Sequence, residues 1–322
     1  MLMAICHSAE EGWTKVEDLE SLSDLREQSG NVLWAEADVA DLTKQDIETI
    51  ASEFGLHELA VEDAVHARQR PKIETYEGHR FVVFHQLDEV EGQLEAAQIA
   101  CFVGERFVVT IHSAADRTID AAKRRWAAAS AGTEHPSSLL HTLFDVVVDD
   151  YQSIADDVEQ TIEDLEEIAL ETPSAELQLQ LYRVKQKVSR MRRYVLPLAR
   201  VLEWTSDSSR SASVIEEHIP LFRDVHDHLL RIADQVRNID DLSQAVIDLT
   251  NSEQANLLNQ VTKRLTGYAA IFAVLTLIAG VYGMNFELVP ADETLFGFWF
   301  SIGLMVATGA GLYVYFKKRG WL

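Results

Sequence analysis

Two long uncharged segments near the end of the chain decide its fold. Residues 265–284 read LTGYAAIFAVLTLIAGVYGM, and residues 295–316 read LFGFWFSIGLMVATGAGLYVYF. A helix needs about 20 apolar residues to cross roughly 30 Å of hydrocarbon, and both segments have that length. A buried helix of a soluble protein is the alternative, but two such segments so close together favour a membrane. We therefore predict two transmembrane helices, with a basic tail at residues 317–322.

The charges around these segments predict their orientation. Basic residues precede the first segment and follow the second, whereas the loop 285–294 carries only the acids Glu287, Asp292 and Glu293. Loops rich in Lys and Arg stay on the cytoplasmic side of a membrane. We expect a multi-pass protein of the plasma (inner) membrane with both termini in the cytoplasm and an acidic external loop.

The composition excludes one large class of function. The chain has 322 residues, of which 52 are acidic and 28 basic, giving a formal net charge of −24. A protein that binds nucleic acid needs a surplus of Lys and Arg to neutralise phosphates, so we predict no nucleic-acid partner. The chain has only two cysteines, which is typical of a reducing compartment and agrees with a cytoplasmic soluble part.

The front of the chain, residues 1–115, is predicted to form a cytoplasmic α/β domain. Several segments are rich in Val, Ile and Phe, which favours strands, and others have apolar residues at helical spacing. The predicted strands are Asn31–Ala35, Arg80–Leu87, Gln98–Val103 and Phe107–His112, and the predicted helices are Asp41–Phe54 and Leu56–Ala67.

Residues 116–219 are predicted to form a cytoplasmic helical region that contains a charged hairpin. Residues 145–182 include twelve acids and no base, whereas residues 177–202 include seven bases and no acid. We predict an antiparallel pair of helices held together by opposite charge, with two independently solvated faces as the alternative, because exposed ion pairs are individually weak.

Residues 220–284 are predicted to form one long stalk helix that continues into the first transmembrane helix. Apolar residues from Val225 to Leu249 recur at steps of three and four, a pattern typical of a coiled coil. Polar and small residues then follow one face of the helix toward the membrane: Asn259, Thr262, Thr266, Ala273, Thr276 and Gly280. Such residues in a membrane either bond a neighbouring helix or line a water-filled path. Two helices cannot enclose such a path, so transport would require several subunits.

The first segment ends in Tyr282-Gly283-Met284-Asn285, which offers an uncharged oxygen ligand at Asn285. Magnesium gives up its hydration water reluctantly, so a ring of neutral oxygens suits a hydrated Mg²⁺ better than a tight carboxylate cage. An acidic loop directly after this motif would concentrate cations at the mouth of a pore.

The sequence resembles the CorA family of magnesium channels, whose signature is Gly-Met-Asn at the end of the first of two C-terminal spans. The segments 272–287 (FAVLTLIAGVYGMNFE) and 66–74 (HARQRPKIE), the Lys317-Lys318-Arg319 tail and the closing Trp321-Leu322 all look like CorA. The resemblance implies a funnel-shaped homopentamer with a selectivity filter at Gly283, Met284 and Asn285. Many CorA proteins have Met-Pro where this chain has Ala273-Val274, which leaves the position of the hydrophobic gate open.

The resemblance also implies residue roles and ions. Pore-facing positions of the family match Asn259, Leu265 and Thr276, and its regulatory metal site matches Asp63 and Asp248. The implied function is Mg²⁺ uptake gated by intracellular Mg²⁺, with Co²⁺ or Ni²⁺ as further permeant ions, in a protein whose partners are its own copies, membrane lipid and divalent cations.

Three other functions are alternatives to magnesium transport. A zinc transporter of the related ZntB type shares the fold, but the intact Gly283-Met284-Asn285 favours magnesium. A membrane-anchored coiled-coil scaffold would need no polar stripe in its span. A membrane-anchored metal enzyme could use the cluster from His57 to His66, but no metalloprotease, Ser/His/Asp or phosphate-loop motif is present, so we predict that the protein is not an enzyme.

Overall fold

The structure is a computed structural model that describes residues 3–8, 12–16, 32–66, 69–128, 135–171, 174–205, 216–284 and 295–322. These residues form two compact units. The first unit includes the described residues up to Leu170 and from Ser174 to Val246, and the second includes Glu171 and Ile247 onward.

The first unit is built on a seven-stranded sheet. Its strand order is β2-β1-β3-β7-β6-β5-β4, and only the β3–β7 pair is parallel. The strands are β1 Met3–Ser8, β2 Gly12–Val16, β3 Val32–Asp38, β4 Lys72–Tyr76, β5 His79–Val90, β6 Gln93–Gly104 and β7 Phe107–His112.

The helices of the first unit cover both faces of this sheet. They are α1 Lys44–Phe54, α2 Glu58–Val65, α3 Asp116–Ala128, α4 Pro136–Glu171, α5 Ala175–Thr205 and the first part of α6 Ile219–Tyr282. Phe54 of α1 packs on Phe107 at a ring-centroid distance of 4.9 Å, and Phe84 packs on Phe144 of α4 at the same distance. Successive side chains of a strand point to opposite faces, so a sheet buried on both sides needs the unbroken apolar runs seen in β5, β6 and β7.

The predicted α/β domain is confirmed, but several of its boundaries were wrong. Strands β1, β2 and β4 were missed, since all three are short and β2 and β4 lie at the edges of the sheet. The first helix begins at Lys44, not at Asp41, because Thr43 caps it: the Thr43 hydroxyl accepts from the Asp46 N–H, and the Asp46 carboxylate accepts from the Thr43 N–H. The second helix spans only Glu58–Val65, because the His57 ring caps its start.

The two charged arms are both helices, α4 and α5, but the predicted ion pairing between them is wrong. Among the described residues no ion pair joins them. Arg125 of α3 binds Asp145 and Asp149 of α4 at 2.7 Å each, and Lys185 of α5 lies 2.5 Å from Asp240 of α6. The acids of α4 therefore pair with α3 and the bases of α5 pair with α6, because both helices pack against other elements of the first unit.

The long stalk helix is confirmed as α6, with Pro220 in its first turn, where a missing N–H costs nothing. Its apolar stripe is buried within the first unit: Val225, Leu229, Ile232, Val236 and Ile239 are each at most 1% exposed, whereas Leu242 and Leu249 are partly exposed. The stripe therefore belongs to the core of its own chain. Residues 206–213 are rich in small residues, which predicts a linker, and they lie outside the described residues.

The second unit contains the rest of α6 and helix α7, Leu295–Lys318. Both helices are long and apolar enough to cross a membrane. Their large apolar side chains are mostly exposed in the isolated chain, including Leu265 at 69%, Phe272 at 67% and Trp299 at 63%. A core helix of a soluble protein would be buried, so these surfaces require lipid or another subunit to cover them.

Candidate functional site

The polar face predicted for the first span is exposed along α6. Asn259, Thr262, Thr266, Ala273, Thr276 and Gly280 are all exposed, and Leu265 is 69% exposed. At 3.6 residues per turn these seven positions share about a third of the helix circumference. Nothing in the second unit covers this face among the described residues.

The opposite face of α6 is the one that meets α7. Ile271, Val274, Leu275 and Ile278 are partly buried and lie about half a turn away from Ala273 and Thr276. Leu275 lies against Gly309 of α7: a Cβ added at Gly309 would be 3.5 Å from Leu275 Cδ2. A glycine at this point lets the helices approach closely, as small residues do in membranes. Helix α7 therefore covers one side of α6 and leaves the polar side free.

The end of the second unit also returns to α6. Gly320 has a φ of +71°, and the Trp321 N–H then donates to the Phe316 carbonyl at 2.9 Å, with the Trp321 and Phe316 rings stacked at 5.5 Å. This turn places Leu322 against Gly267, where an added Cβ would be 3.3 Å from Leu322 Cδ2. The basic tail that follows α7 is thereby fixed beside the start of the span.

The predicted filter begins where α6 ends. The Gly283 N–H donates to the Ala279 carbonyl at 2.9 Å, and the Met284 N–H donates to the Val281 carbonyl at 3.3 Å. A Cβ at Gly283 would be 3.1 Å from the Ala279 oxygen, a tight contact that favours glycine, and Met284 is 53% exposed. Asn285 and the acidic residues Glu287, Asp292 and Glu293 lie outside the described residues.

Asp63, one of the two predicted regulatory acids, is already neutralised within its own chain. Its carboxylate accepts from Lys72 Nζ at 2.6 Å and from Gln69 Nε2 at 2.8 Å. Lys72 also binds Glu74 at 2.9 Å, and both hydrogen bonds raise the pKa of Lys72 against the opposing effect of its burial. Asp63 and Lys72 are partly exposed, at 30% and 25%, so this carboxylate remains within reach of a cation.

Asp248, the second predicted regulatory acid, is exposed on α6 in the second unit. It lies two residues from the buried Thr250 and Val246, so the helix backbone beside it is anchored while its carboxylate faces outward. This position is suited to a contact with another molecule.

Most of the chain matches a known protein family. Residues 30–318 match the model of the family described as CorA-like Mg²⁺ transporter protein. The chain belongs to this family. The match includes both spans and the whole sheet from β3 onward.

CorA proteins are also what the whole chain resembles in sequence and in structure. The cobalt/magnesium transport protein CorA of Thermotoga maritima is 31% identical over 315 residues, covering 96% of this chain and 88% of that protein. The complete structure of the CorA magnesium transporter from Methanocaldococcus jannaschii has a TM-score of 0.83 at 19% identity, covering 99% of both chains. The latter shows the fold: a sheet-containing soluble part, a long helix and a C-terminal helix.

The ZntB fold is a more distant neighbour of this CorA chain. The cytoplasmic domain of ZntB from Vibrio parahaemolyticus has a TM-score of 0.62 at 11% identity, covering 79% of this chain and 99% of that one. It shares the architecture of the soluble part alone.

The histidines considered above for a metal enzyme, from His57 to His66, make structural contacts in this chain. His57 Nδ1 accepts from the Leu59 N–H at 3.2 Å, and the ring stacks on Tyr76 at 4.5 Å. His66 Nδ1 lies 2.8 Å from the Glu62 carbonyl at the end of α2. These rings cap a short helix, and the family is one of transporters, which supports the prediction that the chain is not an enzyme.

Sequence reasoning missed one cluster of potential metal ligands. Asp38, His112 and Asp116 offer ligand atoms within 4.8 Å of one another. They come from the ends of β3 and β7 and the start of α3, so no sequence spacing reveals them. Their atoms have partners in the chain: His112 Nε2 lies 3.3 Å from Glu36, and Asp38 accepts from the Ala40 and Ala114 N–H groups.

Sequence reasoning also misread the basic residues of α5. It assigned them to the acidic arm, whereas several of them line a cleft beside the turn between β5 and β6. The sequence alone does not show which positions of α5 are buried against other elements. That burial determines which face of α5 is exposed.

Proposed function

We propose that this CorA family member is a channel that carries Mg²⁺ into the cell across the plasma membrane and also passes Co²⁺ or Ni²⁺. The observation that supports this most is the position of the polar face of α6, which is exposed and lies opposite the face that contacts α7. A polar face without a partner in a spanning helix requires water or another subunit. The names of the relatives, which refer to cobalt and magnesium transport, agree with this ion class.

The proposed assembly is a funnel-shaped homopentamer with the polar faces of five α6 helices around a central axis. Asn259, Thr262 and Thr266 would line its cytoplasmic part, and Ala273, Thr276 and Gly280 the membrane part, with Leu265 between them. Small and hydroxyl side chains along this path leave room for an ion that keeps its inner water shell. Because α7 occupies only the back of α6, it would face lipid outside the ring.

The selectivity filter is proposed at Gly283, Met284 and Asn285, on the external side of the membrane. The described part of the motif supports this place, since the helical hydrogen bonding of α6 ends there and frees backbone and side-chain oxygens. The acids Glu287, Asp292 and Glu293 would raise the local concentration of cations, and the N- and C-termini would lie in the cytoplasm.

Regulation by intracellular Mg²⁺ is proposed through Asp63 of one subunit and Asp248 of its neighbour. Each carboxylate is accessible on its own unit. A divalent ion between them would remove their mutual repulsion and hold the subunits in a closed arrangement, and its loss at low Mg²⁺ would let the pore open.

Magnesium flux into liposomes that contain the purified protein tests the pore. We expect Asn285→Ala to abolish flux while Asn256→Ala, an exposed stalk position on a different face of α6, conducts as the parent does. Equal flux from the Asn285→Ala variant would contradict the filter. Zn²⁺ flux that exceeds Mg²⁺ flux would favour a ZntB-like transporter, and absence of any divalent flux would favour a membrane-anchored scaffold.

Limited proteolysis tests the regulation. Millimolar Mg²⁺ is expected to protect the full chain compared with EDTA, and Asp248→Ala is expected to remove that protection. Glu253→Ala, an exposed acid on another face of the same helix, is the control. Identical cleavage of the parent with EDTA and with Mg²⁺ would contradict the sensor.

A further inference from the structure

A cleft of about 440 Å³ lies in the first unit between the β5–β6 turn and one face of α5. The backbone of Gly92 and Leu94 forms part of one wall. The α5 wall carries five cationic side chains and belongs to a segment that contains no acid: Arg183, Lys185, Lys187, Arg190 and Arg193. A concentrated positive charge is unexpected in a chain with a net charge of −24.

Two of the five cations are neutralised by carboxylates. Lys185 lies 2.5 Å from Asp240, and Lys187 lies 2.7 Å from Glu89. These ion pairs attach α5 to α6 and to β5, so they fix the backbone that presents the remaining three cations.

Among the described residues, the other three cations, Arg183, Arg190 and Arg193, have no carboxylate partner. Arg190 donates to the Leu94 carbonyl at 2.6 Å, which is a neutral acceptor. Around Arg183 and Arg193, the described residues place no carboxylate within ion-pair distance. The three are exposed and recur at helical spacing on one face of α5. Burial lowers the pKa of His85, and the charge of Arg193 lowers it further.

Among the described residues the lining of the cleft contains no acid, and the nearest acids in sequence, Glu91 and Glu95, flank its β5–β6 wall. At physiological ionic strength, charges more than about 8 Å apart are largely screened from each other. An anion that reaches the cleft therefore experiences the nearby arginines first. Guanidinium groups bind phosphate oxygens through two parallel hydrogen bonds, which makes three of them on one wall a phosphate-binding surface.

An exposed aromatic ring lies in the same cleft. Tyr182 precedes Arg183 and is 60% exposed, although a tyrosine ring is usually at least partly covered. Exposed aromatic rings beside a positively charged groove stack on nucleobases. The volume of the cleft is in the range that encloses a small organic ligand.

We propose that this cleft binds a nucleoside polyphosphate, with the phosphates on Arg183, Arg190 and Arg193 and the base stacked on Tyr182. The site is separate from the pore and from Asp63, and it does not depend on the proposed transport function. It would make the cytoplasmic part of the protein a receptor for a soluble anion as well as for a cation.

Calorimetric titration of the full chain in detergent tests this proposal, with ATP and inorganic tripolyphosphate as probes in magnesium-free buffer. We expect ATP to bind more tightly than tripolyphosphate. Arg183→Gln and Arg193→Gln are each expected to weaken ATP binding at least tenfold, and Arg200→Gln, an exposed position of α5 outside the cleft, is expected to leave it unchanged. Tyr182→Ala is expected to weaken ATP binding but not tripolyphosphate binding.

Three results would overturn the proposal. The first is absence of ATP binding at millimolar concentration by a parent protein that shows native near-UV circular dichroism. The second is ATP binding that is unchanged in the combined Arg183→Gln and Arg193→Gln variant. The third is a change in the oligomeric state of that variant without any ATP binding by the parent, which would identify the cleft as a contact between copies of the chain.

Discussion

The Lys72 ammonium lies 2.6 Å from the Asp63 carboxylate, so the predicted magnesium-sensing acid is paired with a cation of its own chain. A divalent ion that binds Asp63 must compete with this ammonium. The affinity of the proposed sensor would therefore depend on Lys72 as well as on the acids, and substitution of Lys72 tests this.

Removing the charge of Lys72 should increase the affinity for Mg²⁺. A partly exposed ion pair is worth up to about 1 kcal/mol, so Lys72→Met is expected to lower the Mg²⁺ concentration that gives half-maximal protection from proteolysis by about two- to fivefold. Lys44→Met, which loses only an exposed helical pair with Glu48 at 3.6 Å, is the control. A higher half-protecting concentration in Lys72→Met would show that Lys72 supports the site and does not compete for it.

Cysteine substitution should distinguish the two faces of α6. The native cysteines Cys6 and Cys101 are both buried, and burial raises the pKa of the Cys101 thiol to about 12, so neither should react. Thr262→Cys and Thr276→Cys are expected to lose most of their Mg²⁺ flux after treatment with a cationic thiol reagent. Ile278→Cys, on the face toward α7, is expected to keep its flux. Block at Ile278→Cys alone would place the pore on the opposite side of the helix.

His85 should make the first unit sensitive to acid. Burial, assisted by the charge of Arg193, lowers the pKa of His85 to about 4, and the Tyr194 ring packs against it at a 45° tilt with the ring centroids 4.6 Å apart. An unfolded histidine has a pKa of about 6.5, so the unfolded chain takes up a proton first and stability falls as the pH drops from 6.5 toward 4, by about 2 kcal/mol at pH 5.

The variant His85→Phe should therefore lose less thermal stability than the parent between pH 7 and pH 5. Near-UV circular dichroism of the full chain in detergent measures the unfolding temperature at both values. His228→Phe, which changes an exposed histidine of α6, should follow the parent. Equal pH dependence in His85→Phe and the parent would show that other groups determine the acid response.

Gly104 should tolerate no side chain at the β6–β7 turn. A Cβ there would lie 2.1 Å from Phe107 Cε1, and the Phe107 ring packs on Phe54 in the core. Gly104→Ala is expected to destabilise the fold by about 1–3 kcal/mol through overpacking. Because the clash involves one ring, the double variant with Phe107→Leu should cost less than the sum of the two single variants in thermal unfolding. Strict additivity would contradict the clash.

The sequence pattern alone was sufficient to predict the elements with long or strongly periodic apolar segments. The two spans, the start of the stalk near Pro220 and the strand Phe107–His112 were predicted almost to the residue, since runs of apolar residues this long or this regular have few alternatives. The short strands β1, β2 and β4 were not predicted, because strands of five or six residues depend on the sheet that they join.

The ion pairs of helices α4 and α5 could not be predicted from the sequence alone. The distribution of charges correctly predicted an acidic helix and a basic helix. It does not show which residues form ion pairs with each of them. Asp240, some fifty residues after Lys185, takes two cations of α5, and Arg125 takes two acids of α4. Ion pairs are short-range contacts between side chains that folding brings together, so only the tertiary structure assigns them.

The sequence by itself determined two membrane-spanning helices, an α/β domain and a polar stripe that ends in Gly283-Met284-Asn285, because hydrophobicity and helical periodicity are properties of neighbouring residues. The tertiary structure decided which side of α6 is free, which charge neutralises Asp63 and which arginines have no carboxylate partner among the described residues. Those depend on where Gly309, Lys72 and Asp240 lie in space, and distances between residues far apart in the chain are set by the packing of the whole fold.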